Sequence, residues 1–504
     1  MRKAKILATL GPASNQQSII ETMLIAGLNA VRINMSHGSQ EEHAETIRLA
    51  RAAAAALDKP LSVLVDLSGP KIRTKNLENG TPVILKEGQQ FVITTREITG
   101  NSEHVSTNFL HLPEAVEPGA RILLDDGAIE LIVEAKTETD VLTRVVTGGP
   151  LAERKGINLP NTPLPIPSMT EKDHVDLIWA MDQNVDYVAL SFVRTAEDCK
   201  EVKDIIKRLN KRKLGRALLV AKIEKAEAIE NLDAIIEETD GVMVARGDLG
   251  VETSVELVPV YQKRIIEKAV ANDKFVITAT QMLQSMIENP FPTRAEASDV
   301  ANAVWDGTDA VMLSAETASG KYPVEAINTM VRIIDSAETL KAEQLRKPVK
   351  FAQPPSGRTS QALSKAAVYA AEEMRTEKVA VFTESGLMAR RLSAFRSGLQ
   401  TFALTTSEDA RNQLALIWGV RPFYHKDLNT EGETQENIDL TMIDLLRSGS
   451  TTTEELLRVG EKMLLDEGMV DPGETMIMMA GRLSGLGLSS SVIVWTIGES
   501  VPRR

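Results

Sequence analysis

The segments Ala221-Lys222-Ile223-Glu224 and Val244-Ala245-Arg246-Gly247-Asp248 each close a short apolar run, at 217–220 and 241–244. Such runs, bounded by polar or turn residues, predict buried strands of a parallel sheet. Because side chains at i and i+2 of a strand share a face, Lys222 and Glu224 should point the same way. If the strands are neighbours, Asp248 lies beside Glu224. The simpler alternative is a buried ion-pair network without chemistry, since such networks also perturb pKa values.

Strands and helices alternate on both sides of these segments. Strands are predicted at 5–9, 30–36, 61–67, 185–192, 217–223, 241–244, 275–279 and 310–313. Helical patterns lie between and after them, including 18–26, 40–57, 196–209, 258–272, 295–305 and 324–340. Eight such units predict a (β/α)8 TIM barrel, in which residues at the carboxyl ends of the strands build the active site.

The alternation breaks between residues 68 and 162. Short strands are predicted there at 82–85, 90–94, 121–124, 129–133 and 141–146, separated by turn pairs such as Asn79-Gly80. This pattern predicts a small β-barrel inserted into the larger barrel. Its exit carries Pro160, Pro163, Pro165 and Pro167, a stiff segment suited to a hinge.

A second α/β sheet domain is predicted after the barrel. Its helices are expected at 360–375 and 388–395, and its strands at 378–382, 401–404, 422–425 and 492–496. The predicted division is a barrel domain at 1–67 and 163–341, an inserted β domain at 68–162, a proline-containing linker at 342–357, and a C-terminal α/β domain at 358–504.

Bulk composition limits the function classes. The chain has 504 residues, too many for one core. Its net charge of −13 argues against nucleic acid or an anionic membrane as a partner. The single cysteine, Cys199, excludes an intrachain disulfide framework. We find no signal peptide and no apolar run of the roughly 20 residues that a membrane helix needs. These features predict a cytoplasmic protein.

Polar side chains collect at the predicted strand ends, where packing does not explain them. They are Arg32, Asn34, Ser36, Asp66, Ser191, Lys222, Glu224, Asp248, Thr280, Gln281, Ser314 and Glu316. Glu224 and Asp248 are hard oxygen ligands, and two carboxylates suit magnesium or manganese, which take their remaining ligands from water and a substrate phosphate. Arg32 and Lys222, with Arg73 as a further candidate, supply positive charge for that phosphate.

Nucleotide-binding motifs of other kinases are missing. The sequence contains neither a G-x-x-x-x-G-K-[ST] phosphate loop nor the H-R-D and D-F-G set of protein kinases. A nucleotide would therefore be bound in another way.

Over nearly its whole length the sequence resembles the pyruvate kinase family. Seven stretches carry the resemblance: Val31-Arg32-Ile33-Asn34-Met35-Ser36-His37-Gly38, Gly69-Pro70-Lys71-Ile72-Arg73, Lys155-Gly156-Ile157-Asn158-Leu159-Pro160, Lys222-Ile223-Glu224, 245–250, 279–283 and Pro292-Thr293-Arg294-Ala295-Glu296. The resemblance implies transfer of a phosphoryl group from phosphoenolpyruvate to ADP, giving pyruvate and ATP. It also implies that the insert closes as a lid, that the C-terminal domain is regulatory, and that the chain forms a homotetramer.

The resemblance assigns roles motif by motif. Arg32 and Lys222 would contact the transferred phosphoryl group. Glu224 and Asp248 would bind the divalent metal, and Thr280 with the backbone of Gly247 and Asp248 would bind the substrate carboxylate. Thr280 would also serve protonation of the enolate, through ordered water or through Ser314 and Glu316. The nucleotide contacts would be Asn34, His37, Arg73 and Lys155.

Lys71 departs from the family's potassium-using members, which carry Glu at this position. Their monovalent-cation site would correspond to Asn34, Ser36, Asp66 and the backbone of Leu67. A lysine ammonium group can supply the same single charge, so catalysis is expected not to require potassium. The alternative is that Lys71 only pairs with Asp66 or lies on the surface.

A loop in the C-terminal domain resembles the family's effector-phosphate loop. Its candidate residues are Thr383, Ser385 and Gly386, at the start of a helix. Relatives generally carry Thr or Ser where Met388 stands, and Met cannot donate a hydrogen bond, so one phosphate contact should be absent.

Two other functions compete with the kinase. One is a metal-dependent barrel enzyme of another kind, such as an aldolase acting on an enolpyruvate or oxoacid. The other is a non-catalytic, effector-binding relative that retains only the fold.

Overall fold

We describe the protein from a computed structural model. The structure describes residues 2–160, 162, 166–210, 217–340, 358–425, 453–480 and 491–499. The predicted linker at 342–357 and part of the predicted proline hinge, including Pro163 and Pro165, lie outside these residues. The domain boundaries stay predictions.

Eight parallel strands close into a barrel, confirming the predicted fold class. In chain order they are β1 (Lys5–Thr9), β2 (Ala30–Asn34), β3 (Ser62–Asp66) and, after the eight strands of the insert, β12 (Tyr187–Leu190), β13 (Leu218–Ile223), β14 (Gly241–Ala245), β15 (Phe275–Ala279) and β16 (Ala310–Leu313). Around the ring the order is β1-β16-β15-β14-β13-β12-β3-β2. Their residues are almost all buried, as expected for strands covered on both faces.

Predicted strand ends are wrong in detail at Ser36, Ser191 and Asp248; Ser191 lies in the turn after β12, which ends at Leu190. Ser36 was placed on the second strand, but β2 ends at Asn34 and Ser36 lies in the turn that follows. Asp248 was placed at a strand end, but it lies in the first turn of a short helix, Arg246–Glu252. All three residues still lie at the carboxyl side of the barrel, because the turns and the helix continue directly from β2, β12 and β14.

Helices cover the outside of the barrel. Their bounds are Gln17–Ala26, Gln40–Ala56, Glu171–Asp182, Ala196–Asn210, Ala226–Glu230, Leu232–Glu238, Arg246–Glu252, Val258–Ala271, Arg294–Asp306, Ala315–Ala318 and Pro323–Leu340. Three of them begin with a reciprocal capping box, formed by Ser39 with Glu42, Thr170 with Asp173, and Thr293 with Glu296. Each box satisfies backbone amides that the first helical turn leaves free.

The insert is an all-β unit with one short helix, Leu112–Ala115. Its strands are β4 (Val83–Leu85), β5 (Gln90–Thr94), β6 (His104–Ser106), β7 (Arg121–Leu124), β8 (Ile129–Lys136), β9 (Asp140–Thr147), β10 (Gly149–Leu151) and β11 (Ile157–Asn158). Six of them form one sheet in the order β11-β7-β8-β9-β5-β6, and β10 pairs with β4.

Gly69 lies where the chain leaves the barrel for the insert. Its φ is +66°, and a Cβ there would stand 2.6 Å from the ring of Phe192. Only glycine fits both the backbone conformation and this close approach.

The C-terminal domain is a five-stranded sheet in the order β19-β18-β17-β20-β21. Its strands are β17 (Lys378–Phe382), β18 (Gln400–Thr405), β19 (Val420–Tyr424), β20 (Thr475–Ala480) and β21 (Ser491–Thr496), and its helices are Arg358–Glu373, Leu387–Ala394, Glu408–Leu414 and Thr453–Asp466. Strand β20 does not follow from the sequence pattern, because Thr475–Ala480 is rich in methionine, which carries little strand preference. It lies between β17 and β21, and its last five residues are buried.

The barrel interior and the core of the C-terminal domain form one continuous apolar cluster. Tyr187, at the start of β12, donates a 2.5 Å hydrogen bond to the carbonyl of Gln413. Asp309 accepts hydrogen bonds from the backbone amide of Trp418 and from Arg396, at 3.1 and 2.7 Å. The C-terminal domain therefore closes the amino-terminal end of the barrel, opposite the strand ends that carry the polar residues.

Among the described residues, no helix combines the length and the apolar character that a membrane span requires.

Candidate active site

Lys222 lies at the centre of the polar cluster. Its ammonium group is 2.8 Å from Ser191 Oγ, 2.8 Å from Glu224 Oε1 and 3.4 Å from Asp66 Oδ1. The predicted common face of Lys222 and Glu224 is therefore present. Three strands, β3, β12 and β13, contribute to this contact set, because they are neighbours in the ring.

Asp66 joins the two cations of the site. Its Oδ2 accepts from Arg32 at 2.7 Å, while Oδ1 faces Lys222. Arg32 also donates to Thr9 Oγ1 at 3.1 Å. The side chain of Arg32 is 12% exposed, whereas that of Asp66 is 1% exposed. One buried carboxylate thus holds two positive groups at the mouth of the barrel.

The local charges keep these groups ionised. Burial alone would lower the pKa of Lys222, but Asp66 and Glu224 outweigh it and raise that pKa above its ordinary value. Burial alone would raise the pKa of Asp66, yet Lys222 and Arg32 bring it below the usual range. The two carboxylates therefore favour the charged form of Lys222, and the two cations favour the charged form of Asp66.

Glu224 and Asp248 fit a divalent metal. Burial and the nearby charge of Asp248 raise the pKa of Glu224, although Lys222 opposes the shift. Glu224 Oε1 is buried and lies 2.8 Å from the ammonium group of Lys222. Its angle to that group does not make a hydrogen bond, and no other described residue donates to it. Glu224 Oε2, in contrast, accepts from the backbone amide of Phe192 at 2.7 Å. A hard divalent cation could bind Glu224 Oε1, which accepts no hydrogen bond from the described residues, together with the carboxylate of Asp248.

Thr280 faces the start of the helix Arg246–Glu252. The backbone amide of Gly247 donates to Thr280 Oγ1 at 2.8 Å, and the hydroxyl donates to the carbonyl of Ala279 at 2.6 Å. Thr280 and Gln281 both have left-handed backbones, with φ of +71° and +55°. The structure therefore brings Gly247 into contact with Thr280, with Asp248 next to it on the helix.

Ser314 and Glu316 lie on the next strand end, after β16. Glu316 is fully buried, and its two oxygens accept from the backbone amides of Leu283 and Ser314, at 3.1 and 2.7 Å. Ser314 Oγ is buried and has no hydrogen-bond partner among the described residues. Glu316 thus anchors the loop that follows Thr280, and Ser314 keeps a free hydroxyl.

The nucleotide candidates divide into two groups. Arg73 and Lys155 line a cleft of about 230 Å³ between the insert and the barrel, together with Lys71 and Asp248. Asn34 and His37 do not line this cleft. Lys155 Nζ pairs with Asp125 at 2.9 Å, and Arg73 donates to the carbonyl of Arg154 at 3.0 Å.

His37 nevertheless lies within the positive field of the cleft. Burial lowers its pKa, and the charges of Arg73 and Lys71 lower it further. This part of the molecule therefore favours an anion, although the chain as a whole is acidic.

The residues of the predicted monovalent-cation site are largely engaged with one another. Asn34 Oδ1 accepts from the amide of Ser36 at 3.2 Å, and Ser36 Oγ lies 3.2 Å from Ser68 Oγ. The carbonyl of Leu67 accepts from Ser191 at 2.7 Å. Lys71 forms no ion pair with any residue that the structure describes, but its charge contributes to the lowered pKa of Asp66.

The effector-loop candidates surround the start of the helix Leu387–Ala394. Thr383 Oγ1 accepts from the amide of Gly386 at 3.0 Å, and Gly386 has a φ of +72°. Ser385 is exposed, whereas Met388 is fully buried and packs in the domain core.

Two site residues escaped the sequence analysis. Ser191 was noted at a strand end without a role, yet it contacts Lys222 and the carbonyl of Leu67. Arg246 was quoted only as part of a motif, although its guanidinium group is buried against the loop of Thr280. A charged residue directly after a buried apolar strand was the available signal for Arg246.

The fold and this site define a (β/α)8 barrel protein with buried cations and carboxylates gathered at the carboxyl ends of its strands. Comparison with known proteins gives the family. The profile described as "Pyruvate kinase, barrel domain" matches residues 1–327, and "Pyruvate kinase, alpha/beta domain" matches residues 361–494.

Individual relatives agree. Pyruvate kinase 2 of Synechocystis is 41% identical over 98% of this chain and 78% of its own length. The pyruvate kinase of Geobacillus stearothermophilus is 40% identical over 96% of this chain and 81% of its own. A crystal structure of a pyruvate kinase from Cryptosporidium parvum superposes with a TM-score of 0.85 at 32% identity, covering 98% of this chain and 96% of that one. The chain belongs to the pyruvate kinase family.

Proposed function

We propose that Arg32, Lys222, Gly247, Asp248 and Thr280 carry out the reaction of the family, the transfer of the phosphoryl group of phosphoenolpyruvate to ADP. The observation that supports this assignment is the position of Lys222, a buried and charged lysine among Asp66, Glu224 and Ser191 at the open end of the barrel. The comparisons lend no support to an aldolase-like reaction.

Arg32 and Lys222 are the cations that would hold the transferred phosphoryl group. Both are already oriented by Asp66, so their charges need little rearrangement when charge moves on to the phosphoryl oxygens. Glu224 and Asp248 would hold Mg²⁺ or Mn²⁺. When bound, this cation neutralises negative charge on the phosphate and on the enolate oxygen.

Thr280 and the backbone amides of Gly247 and Asp248 would bind the substrate carboxylate at the start of the helix Arg246–Glu252. Thr280 would also serve protonation of the enolate carbon, together with Ser314. The free hydroxyl of Ser314 supports a relay role, whereas the two amide contacts of Glu316 support a role in holding the relay in place.

Arg73 and Lys155 would contact the phosphates of ADP in the cleft between the insert and the barrel, with Asn34 and His37 nearby. Closure of the insert over this cleft would exclude water, which would otherwise accept the phosphoryl group.

Three further expectations stay proposals. Lys71 would replace the monovalent cation, so turnover would not require potassium. The exposed Ser385 and the loop around Gly386 would bind a phosphorylated effector, and titration calorimetry with phosphate esters tests this. A homotetramer is expected from the family, and sedimentation velocity tests it.

The reaction can be tested in two halves. Pyruvate formation from phosphoenolpyruvate, ADP and Mg²⁺ reports phosphoryl transfer, and deuterium uptake by the methyl group of pyruvate in D₂O reports enolate protonation. Thr280→Val should slow deuterium uptake by roughly 10²-fold, the usual effect of losing a proton-transfer group. The matched control is Thr278→Val, which removes a buried hydroxyl two residues earlier on β15. Equal effects of both variants would contradict the role of Thr280.

A further inference from the structure

The backbone around Thr280 is strained. Thr280 and Gln281 have φ of +71° and +55°, which is the left-handed region that β-branched and other non-glycine residues avoid. Two such residues in succession persist only where their surroundings hold them. The strain lies at the residue that is proposed to contact the substrate.

Arg246 holds this stretch of backbone. Its Nε donates to the carbonyl of Ala279 at 3.3 Å, and one terminal nitrogen donates to the carbonyl of Thr280 at 2.7 Å. A planar guanidinium group can reach two successive carbonyls at once, because its donors have a fixed fork geometry. Arg246 therefore acts on the two peptide groups that flank the unusual φ of Thr280.

The guanidinium group is itself anchored on its other side. A terminal nitrogen donates to Asp299 Oδ1 at 2.7 Å and lies 3.4 Å from Gln262 Oε1. Asp299 and Gln262 belong to two different helices behind the site, Arg294–Asp306 and Val258–Ala271. The side chain of Arg246 is 9% exposed, whereas that of Asp299 is 36% exposed, so the pair joins a buried guanidinium group to a carboxylate that reaches solvent.

Arg246 and Gly247 hold Thr280 from the same helix. The backbone amide of Gly247 contacts the side chain of Thr280, and the side chain of Arg246 contacts its backbone. These two contacts set the distance and the orientation between the helix that carries Asp248 and the hydroxyl of Thr280.

We propose that Arg246 is a positioning residue that orients Thr280 for enolate protonation. It acts through Thr280 and does not touch the substrate. The inference rests on the proposed function of Thr280. The competing explanation is that Arg246 only stabilises the fold through its ion pair with Asp299.

A double-mutant cycle separates these explanations, because residues that act through one another give non-additive effects. Arg246→Lys keeps the positive charge but removes the planar set of donors that reaches two carbonyls at once. It should slow deuterium uptake by pyruvate at least about 10-fold in the native background, as expected for a misplaced catalytic group. In the Thr280→Val background, Arg246→Lys should slow deuterium uptake less than about 2-fold. The KM for ADP should not change, since the ADP candidates Arg73 and Lys155 lie elsewhere.

Arg51→Lys is the matched control. Arg51 also donates to two backbone carbonyls, those of Leu61 and Asn184, and pairs with Asp186 at 3.1 Å. It lies near the amino-terminal end of β3, and its replacement should leave deuterium uptake unchanged. If Arg246→Lys does not fold, Asp299→Asn can replace it, because this change weakens the anchor of the same guanidinium group. Asp299→Asn should slow deuterium uptake by a smaller factor, and it should have no effect in the Thr280→Val background.

Three results would overturn the proposal. An equal effect of Arg246→Lys in both backgrounds, or none in the native one while Thr280→Val impairs uptake, would leave Arg246 a purely structural residue. A Thr280→Val variant with native uptake would remove the proposed role of Thr280 and the inference with it.

Discussion

The ammonium group of Lys222 lies 2.8 Å from the carboxylate of Glu224, two residues further along the chain at the end of β13. Strand periodicity places both side chains on one face, and Asp66 on β3 adds a second carboxylate to the same ammonium group. The side chains of Lys222 and Glu224 are 10% and 1% exposed. This pair joins the proposed phosphoryl-binding cation to the proposed metal ligand, so changes to either should affect the other.

Lys222→Met should lower kcat by about 10²- to 10³-fold, the usual cost of losing a group that stabilises charge in the transition state. The substitution also leaves Glu224 without its cation, so the melting temperature should fall. Steady-state kinetics and thermal unfolding measure the two effects. Lys274→Met is the control, because Lys274 donates to the carbonyl of Thr239 at the opposite end of the barrel. A comparable loss of kcat in the control would show that the effect is one of stability.

Glu224→Gln should weaken Mn²⁺ binding by about 10- to 100-fold, because it removes one of two anionic oxygen ligands. Electron paramagnetic resonance of free Mn²⁺ measures this without turnover. Glu252→Gln is the matched control: Glu252 lies one helical turn after Asp248, is also buried, and pairs with Lys225 at 2.7 Å. Equal Mn²⁺ affinity in the two variants would exclude Glu224 as a ligand.

Lys71→Glu should create a requirement for potassium. The substitution removes a positive charge near Asp66, and a monovalent cation can replace that charge. We expect the variant to lose activity by about 10-fold in potassium-free buffer, because it lacks one positive charge near the transferred phosphoryl group. Adding potassium should restore most of that activity. The native chain should show no such response.

Lys75→Glu is the control for Lys71, since Lys75 lies four residues later and pairs with Glu97 at the surface. A native chain that is active only with potassium would contradict the assignment of Lys71. So would a Lys71→Glu variant that potassium does not rescue.

Lys5 should make stability depend on pH. Burial lowers its pKa to about 7, and the charge of Arg2 adds to the shift, while Glu338 and Asp309 oppose it. Arg421 also lowers this pKa, from the C-terminal domain. Between pH 7 and the ordinary value of 10.5, the unfolded chain binds the proton that the folded chain has released. The free energy of unfolding should therefore rise with pH across this interval.

Lys5→Met should remove that rise. The free energy of unfolding of the variant should exceed that of the native protein most at pH 6, where native Lys5 is charged and buried. The difference should be smaller at pH 9. Thermal unfolding at the two pH values measures it. Lys5 donates to the backbone carbonyl of Val420 at 2.7 Å. The control is Lys136→Met, because Lys136 likewise donates to a backbone carbonyl, that of Val116, but its side chain is 27% exposed. If the stability of the native and Lys5→Met proteins changed equally with pH, the expectation would be refuted.

The alternation of strands and helices predicted the barrel, because each strand is a short apolar run that is visible locally. The same local pattern predicted the shared face of Lys222 and Glu224. It failed for Thr475–Ala480, where methionines fill a buried strand without the β-branched residues that usually signal one. It also failed to place Asp248 in a helix, because Arg246–Glu252 is too short for helical periodicity to appear.

What the sequence by itself determined is therefore the set of strands, their order along the chain and the polar residues at their ends. Only the tertiary structure decided which of those residues meet. Asp66 is shared between Arg32 and Lys222, which are 34 residues before it and 156 after it, because β3 pairs with β2 on one side and is separated from β13 only by β12 on the other. The contacts of Thr280 with Arg246 likewise depend on the pairing of β14 with β15. Periodicity reports which face of an element is buried, whereas contacts between elements depend on how the sheet curves and closes.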